Sequence, residues 1–148
     1  DKGEVPEEEY LLELGKAHII REGSDVTLVS FGKILKEVEK AAEELAKDGI
    51  ECEIIDLRWV RPIDYDTVVN SIKKTNRMVF IEEAWPLGAI ATEVTYHVQR
   101  YAFDYLDAPI RRVTSQDTPM AYAPTLVEEY LPNAKRIIDA VKAVSYVK

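Results

Sequence analysis

Short apolar runs alternate along the chain with longer stretches in which apolar residues recur every three or four positions. The short runs lie at residues 17–20, 26–31, 51–57, 78–81 and 110–114. Because strands bury one or both faces over a few residues, these runs predict β-strands. The run at 78–81 contains no polar residue, which is typical of a strand covered on both faces.

Helical stretches separate these runs. The spacing predicts a helix from Lys33 to a stop at Lys47-Asp48-Gly49, a second from about Asp64 to Lys74, a long third through Ile90, Val94, Val98 and Tyr101, and, after residues 124–131, a last helix with Ile137, Ile138, Val141 and Val144 on its apolar face. Strand and helix alternate throughout. The pattern therefore predicts an α/β fold in three layers, with a mostly parallel sheet and right-handed crossovers.

Only a turn separates the first two predicted strands. Residues 22–25 have the sequence Glu-Gly-Ser-Asp, and a short loop that contains glycine is typical of a β-hairpin. The sequence therefore predicts a hairpin-like opening, formed by the runs at 17–20 and 26–31.

Length and composition indicate one domain without a membrane span. The chain has 148 residues, 47% of them hydrophobic, and no apolar run approaches the roughly 18 residues that a membrane span requires. The net charge of −8 argues against nucleic acid as a partner, because phosphate neutralisation requires a basic face. Residues 1–13 hold six acids and one lysine, a net of −5. They are predicted to be an acidic linker or tail, with the domain at 14–148.

Motifs for catalysis and cofactor binding are absent from the sequence. No G-x-G-x-x-G follows a strand, and there is no P-loop or G-x-S-x-G elbow, which excludes dinucleotide-binding, P-loop and hydrolase interpretations. His18 and His97 have no partner at metal-ligand spacing and are predicted to be structural or surface residues. Cys52, the single cysteine, lies in an apolar alternation and is predicted to be buried. No catalytic, cofactor-binding or metal-binding residue is therefore predicted.

Weaker signals lie where strands give way to helices. The junctions at residues 30–33 and 85–88 each contain one glycine and could hold an anion at free helix amides, although tight packing of helix against sheet also explains a single glycine. Glu82 and Glu83 follow the strand at 78–81, where an open α/β sheet usually meets its ligand or partner, and are possible interface residues. Adjacent strand residues face opposite sides, so these carboxylates are not assumed to form an acid–base pair.

Six blocks of sequence together carry a resemblance to a known family. They are residues 51–58 (ECEIIDLR), 61–64 (RPID), 74–77 (KTNR), 82–86 (EEAWP), 103–109 (FDYLDAP) and 117–123 (DTPMAYA). In this order and spacing they resemble the C-terminal half of the beta subunit of thiamine diphosphate-dependent 2-oxo acid dehydrogenases, most of all pyruvate dehydrogenase. The resemblance implies a transketolase C-terminal type domain, a three-layer α/β/α sandwich whose five-stranded sheet has its first strand antiparallel to the others.

The resemblance also implies a role in assembly and docking. In the family, the holoenzyme oxidatively decarboxylates pyruvate and transfers acetyl to lipoyl. The domain's partners are the alpha subunit, a second beta subunit and the peripheral subunit-binding domain of the dihydrolipoyl acyltransferase. Thiamine diphosphate and magnesium bind to other parts of the holoenzyme, so this chain alone is expected to bind neither and to be catalytically incompetent. The family's enzymes are cytoplasmic in bacteria and lie in the mitochondrial matrix in eukaryotes.

Three candidate docking residues follow from the resemblance. Asp107 matches the family aspartate that pairs with a basic residue of the subunit-binding domain, and Asp104 is a second candidate. The third is Lys148, because the chain terminus contributes to the same contact in the family, where the last residue is often apolar. Charges at an interface rim govern association rate and orientation more than affinity. Alternatively, Asp107 is a turn residue before Ala108-Pro109.

Two questions stay open in the sequence. Trp85 and Pro86 are either a core indole with a helix-starting proline or possible interface residues. The parent enzyme is alternatively a branched-chain 2-oxo acid dehydrogenase or a transketolase-type enzyme, which would share this domain. A function of a different class is a stand-alone anion-binding or protein-interaction module.

Overall fold

A computed structural model of the chain describes residues 6–146. Within this range five strands form one mixed sheet: β1 His18–Arg21, β2 Val26–Ser30, β3 Cys52–Asp56, β4 Met78–Ile81 and β5 Arg111–Val113. The helices are α1 Leu35–Lys47, α2 Tyr65–Thr75, α3 Ile90–Tyr101, α4 Pro124–Tyr130 and α5 Ala134–Ser145, with a 3₁₀ helix at Phe103–Tyr105 after α3. The predicted strands and helices are all present, close to their predicted bounds.

The sheet separates two layers of helices. Its strand order is β1-β3-β2-β4-β5; β1 is antiparallel to β3, and the remaining pairs are parallel. One face packs on α1 and α5 around Leu28, Ile54 and Ile81, and the other packs on α2 and α3 around Val29 and Phe80. The predicted three-layer α/β/α sandwich with an antiparallel first strand is therefore confirmed.

The predicted hairpin at the start of the chain is wrong. β1 and β2 are not neighbours, because β3 lies between them and pairs with both. The turn at 22–25 instead crosses the amino end of β3, where the amides of Ser24 and Asp25 both donate to the carbonyl of Glu51, at 3.1 and 2.9 Å. Gly23 suits this crossing, since a Cβ there would lie only 2.2 Å from the carbonyl carbon of Cys52. A short glycine-containing turn can therefore pass over a strand as well as close a hairpin.

Polar residues at both ends of α2 connect it to other parts of the chain. Asp64 caps the start of α2 by accepting from the amide of Thr67 at 3.2 Å, and it also accepts from the amide of Ala17 at 3.1 Å. Asn76 ends α2 in the left-handed region, with φ of 60°, and its Nδ2 donates to the carbonyl of Tyr105 at 2.8 Å. The exit of α2 is thereby joined to the segment that follows α3.

The carboxyl ends of β2 and β4 mark a topological switch point. From β2 the chain passes through α1 to β3 on one side of the sheet, whereas α2 returns it to β4 on the other side of β2. Open α/β sheets usually bind their ligands or partners in the crevice at such a point. Glu82 and Glu83 directly follow β4 and therefore lie beside this crevice.

Candidate functional site

An exposed surface at the amino ends of β4 and β5 carries two of the candidate docking residues. It consists of Phe103, Asp104, Tyr105, Asp107 and Tyr146, and we call it the Asp107 surface. The 3₁₀ helix presents the first three of these side chains. The hydroxyl of Tyr146 donates to the carbonyl of Asp107 at 3.2 Å, which brings the end of α5 to the same place. Asp104 and Asp107 thus share one surface.

Neighbouring residues position Asp107 without using up its charge. The amide of Asp107 donates to the carbonyl of Asn76 at 2.9 Å. Its Oδ2 lies 3.5 Å from Nη2 of Arg77, and the side chain remains 57% exposed. Within residues 6–146 the carboxylate accepts no backbone amide, so nothing in this range supports the turn-residue alternative. The docking role of Asp107 stays a prediction.

A groove lies directly beside Asp107. It is a cavity of about 410 Å³ whose lining includes Phe103, Leu106, Asp107, Pro109 and Ile110. The groove therefore combines a carboxylate with aromatic and aliphatic side chains. This combination suits a partner that presents a cation next to an apolar side chain.

Lys148, the third candidate docking residue, lies outside the described residues. The description ends at Tyr146, two positions earlier, whose hydroxyl contacts Asp107. The described end of α5 therefore adjoins the Asp107 surface, whereas the role of Lys148 itself stays a prediction.

Glu82 and Glu83 lie in different environments. Glu82 is buried, and its Oε1 accepts from the amide of Ala91 at 3.1 Å, which caps α3 because Ala89 offers no side-chain acceptor. Its Oε2 has no hydrogen-bond partner in the described part of the chain. Burial raises the pKa of Glu82, although backbone hydrogen bonds and the nearby charge of Arg112 oppose the shift. Glu83 is exposed, so these two residues have separate roles.

Glu83 lines a cavity of about 500 Å³ at the switch point, between the start of α1 and the end of α4. The charged side chains around this cavity are Lys33, Lys36, Glu37, Glu83, Glu128 and Glu129. Because carboxylates outnumber ammonium groups, the local field is unfavourable for an anion. The anion site considered at residues 30–33 is therefore not supported.

The glycines of both strand-to-helix junctions satisfy a backbone requirement. Gly32 and Gly88 have φ of +79° and +70°, in the left-handed region that glycine enters most easily. Nothing among the described atoms lies within 4 Å of a Cβ built on either residue. The predicted explanation by tight packing of helix against sheet is therefore wrong at both junctions.

Trp85 is not part of the core. It is 55% exposed, and its Nε1 donates to the hydroxyl of Tyr130 at 2.7 Å. Pro86 does not start a helix, because α3 begins at Ile90; its carbonyl accepts from Nη1 of Arg112 at 3.0 Å. The core alternative is wrong, and Trp85 and Pro86 stay possible interface residues.

Apolar side chains are exposed where the chain leaves β4 and β5. We call Trp85, Leu87, Met120, Tyr122 and Leu126 the carboxyl-end surface. The amide of Ser115 donates to the carbonyl of Ala84 at 3.0 Å, so the two segments that carry this surface adjoin. Clusters of exposed apolar residues often mark contact sites for a partner. Sequence reasoning missed the last four residues, although apolar residues in the non-periodic segment 115–126 were an available signal.

The histidines and the cysteine are placed as predicted. His97 stacks on Tyr65, with ring centroids 3.8 Å apart, and His18 is exposed on β1. Cys52 is buried, which raises the pKa of its thiol to about 12. Across residues 6–146, no three His, Cys, Asp or Glu side chains are grouped so that they could hold a metal ion. No helix in that range has the length and apolar character needed to cross a membrane.

The chain has relatives among proteins of known activity. The family described as Transketolase, C-terminal domain, matches residues 15–137. Pyruvate dehydrogenase E1 component subunit beta of Rhizobium meliloti (strain 1021) is 50% identical over 144 residues, which are 97% of this chain and 31% of that protein. The mitochondrial subunit of Dictyostelium discoideum is 47% identical over 94% of this chain and 39% of its own length. Acetoin:2,6-dichlorophenolindophenol oxidoreductase subunit beta of Bacillus subtilis (strain 168) is 46% identical over 93% and 40%, respectively.

The fold has a counterpart among solved structures. The split gene transketolase, inactive beta4 tetramer, is similar with a TM-score of 0.81 at 26% identity, over 99% of this chain and 46% of that chain. The chain therefore spans less than half the length of each of these four relatives. Because the family match covers most of the sequence, and the fold agrees with it, the chain belongs to the transketolase C-terminal domain family.

Proposed function

We propose that the chain is the C-terminal domain of a pyruvate dehydrogenase-type beta subunit and that it serves assembly and docking. The observation that carries the docking role is the exposed carboxylate of Asp107 beside an apolar groove. The similarity to pyruvate dehydrogenase E1 beta subunits over nearly the whole chain supports the type of enzyme.

The docking partner is the peripheral subunit-binding domain of a dihydrolipoyl acyltransferase, which presents a basic residue. Asp107 offers its carboxylate to that residue, and Asp104 adds a second negative charge close by. The Arg77 contact leaves room for such a partner, because a partly exposed ion pair is worth only about 0–1 kcal/mol. The neighbouring groove receives an apolar side chain of the same partner.

Assembly uses the carboxyl-end surface. Its tryptophan, tyrosine and methionine belong to the residue types enriched in protein interfaces. The alpha subunit and a second beta subunit are the partners proposed to cover it. Trp85 and Pro86, and Glu83 beside them, then lie within or next to an interface, whereas the buried Glu82 supports it from within the fold.

Catalysis belongs to the parent enzyme, which oxidatively decarboxylates pyruvate and transfers acetyl to lipoyl. The described residues do not fit thiamine diphosphate with its magnesium, because their carboxylates form no group suited to a metal ion. The cofactor and the catalytic residues are accordingly assigned to other parts of that enzyme. The domain keeps its proposed boundary at residue 14, after the acidic segment.

A second candidate is a beta subunit that serves acetoin oxidation. It rests on the 46% identity to the acetoin:2,6-dichlorophenolindophenol oxidoreductase subunit of Bacillus subtilis (strain 168). Branched-chain 2-oxo acid dehydrogenases and transketolase-type enzymes would share the same domain. In each case the assembly role is the same. The proposed location is the cytoplasm in a bacterium and the mitochondrial matrix in a eukaryote.

The docking proposal is tested by titrating the chain with a purified peripheral subunit-binding domain, using calorimetry at several salt concentrations. Asp107→Asn removes the charge and keeps the size of the side chain. It should raise the Kd about tenfold and flatten the salt dependence, since one charge-assisted contact is lost. The control Glu39→Gln removes an exposed carboxylate on α1 and should bind as the parent chain does. Equal Kd values for both variants would refute the docking role.

A further inference from the structure

A second charged groove lies at the opposite edge of the sheet from β1. β5 is the edge strand there, because β4 is its only strand neighbour within the described residues. Between β5 and α5 is a cavity of about 340 Å³, and its charged lining side chains are Arg111, Arg112, Arg136 and Asp139. None of these residues belongs to the Asp107 surface or the carboxyl-end surface.

Two of the arginines are held in place by backbone carbonyls. Arg136 donates from Nη1 to Leu131 at 3.2 Å and from Nη2 to Thr114 at 2.7 Å. Arg112 donates from Nη1 to the carbonyl of Pro86 at 3.0 Å. A carbonyl satisfies a donor but leaves the cation without a counter-charge. Each guanidinium has five N–H donors, so both retain donors for a further acceptor.

The positive charge of the groove is not neutralised locally. Among residues 6–146, no carboxylate lies within ion-pair distance of any of the three arginines, and Arg111 makes no hydrogen bond at all. Counting three arginines against Asp139 leaves a surplus of two positive charges, in a chain whose net charge is −8. Arg136 is partly buried, where a charge without a counter-ion is unfavourable.

We propose that the groove between β5 and α5 binds a phosphate group. The guanidinium fork matches phosphate oxygens, and two of the three forks are already fixed, which reduces the entropy lost on binding. A phosphate monoester carries about −1.5 to −2 charges at neutral pH, which balances the surplus in the groove. The phosphate belongs either to a free small molecule or to a phosphorylated side chain of a partner protein.

The competing explanation is that the arginines only protect an exposed strand edge. Charged side chains on edge strands discourage pairing with other chains. That explanation requires no cavity and no fixed guanidinium groups. It also predicts that phosphate has no preference for this groove over other basic residues of the surface.

The test is a calorimetric titration of the 148-residue chain with inorganic phosphate, at constant ionic strength set with chloride. Arg111→Glu is the variant, since Arg111 is exposed and makes no internal hydrogen bond or ion pair that the fold would lose. Lys135→Glu is the matched control: it makes the same charge change at an exposed α5 residue outside the cavity. A second titration uses a phosphoserine peptide and its unphosphorylated form, which distinguishes the two sources of the phosphate.

We expect saturable binding of phosphate by the parent chain and the Lys135→Glu variant, and a Kd raised about tenfold or more by Arg111→Glu, because a cation is replaced by an anion. Tighter binding of the phosphopeptide than of phosphate would assign the site to a modified partner; equal or weaker binding would assign it to a free ligand. The proposal is overturned by absent saturation, by equal losses in the two variants, or by equal binding of the two peptides together with no binding of phosphate.

Discussion

The Asp107 surface and the carboxyl-end surface lie at opposite ends of β4 and β5, and the chain supports them differently. At the Asp107 surface, hydrogen bonds from Asn76 and Tyr146 and an ion pair from Arg77 hold the exposed groups. The ammonium group of Lys73 also lies 5.5 Å from the centre of the Tyr105 ring. At the carboxyl-end surface, Leu87 and Tyr122 are almost completely exposed.

This difference indicates two kinds of contact. A polar surface that its own fold orders is stable in water and can bind and release a partner, with charge setting the rate and orientation. Exposed apolar side chains gain free energy only when they are covered, at about 25 cal/mol for each Å² removed from water. The Asp107 surface therefore suits reversible docking, and the carboxyl-end surface suits a lasting subunit interface.

The largest expected effect breaks the carboxyl-end surface. In a reconstituted enzyme, the double variant Met120→Ser with Tyr122→Ser should weaken subunit association about thirtyfold or more, because buried interface aromatics carry about 2 kcal/mol or more each. Sedimentation with the alpha subunit measures this loss. In the isolated chain the same variant should change the free energy of unfolding by no more than about 0.5 kcal/mol, since both side chains are exposed.

The control for this variant is Tyr96→Ser, which removes an exposed tyrosine on α3, away from the carboxyl-end surface. Association should remain at the parent value in that control. If the double variant assembles as tightly as the parent chain, the carboxyl-end surface is not a subunit interface.

A smaller effect tests the internal support of the Asp107 surface. Asn76→Ala places a Cβ residue that tolerates the left-handed region poorly at φ of 60° and removes the hydrogen bond to Tyr105. Unfolding by urea should show a loss of about 1–2 kcal/mol. Asn76→Gly separates the two causes, because glycine keeps the conformation and loses only the side-chain bond. A neutral result for Asn76→Ala would show that the surface is not held by this residue.

The smallest effect concerns Glu82 and pH. Because burial raises its pKa, the folded chain binds this proton more tightly than the unfolded chain does. The resulting stability is fully present below the ordinary glutamate pKa of 4.5 and is lost as pH rises through the raised value. Glu82→Gln should therefore reduce the fall in melting temperature between pH 4 and pH 8.

The control here is Glu83→Gln, which removes the exposed neighbouring carboxylate and thus accounts for the change in net charge. An identical pH profile for Glu82→Gln and the parent chain would contradict the role given to burial. A profile altered equally by both variants would do the same.

Much of the fold was predictable because it depends on local patterns. Apolar runs and helical spacing predicted each strand and helix, and the Met78–Ile81 run correctly indicated a central strand. Strand pairing was not predictable in the same way. The turn at 22–25 has the composition of a hairpin loop, yet it passes over β3, whose residues come much later in the chain.

The candidate site was predicted only in part. The resemblance identified Asp107, but the exposure of Trp85 and of Leu87, Met120, Tyr122 and Leu126 depends on what packs over each residue. Glu53 shows the same limit: it follows Cys52 in β3 and is buried, where Lys74 and the amide of Gly23 contact its carboxylate. Nothing near Glu53 in the sequence announces those partners.

The sequence by itself determined the order and type of the elements, the acidic charge and the family blocks, since these depend on residues that are close along the chain. Only the tertiary structure decided that β3 separates β1 from β2, that Glu82 and Glu83 differ in burial, and that Arg111, Arg112 and Arg136 share one groove. The physical reason is that burial and charge balance depend on groups brought together by folding, whatever their separation in the sequence.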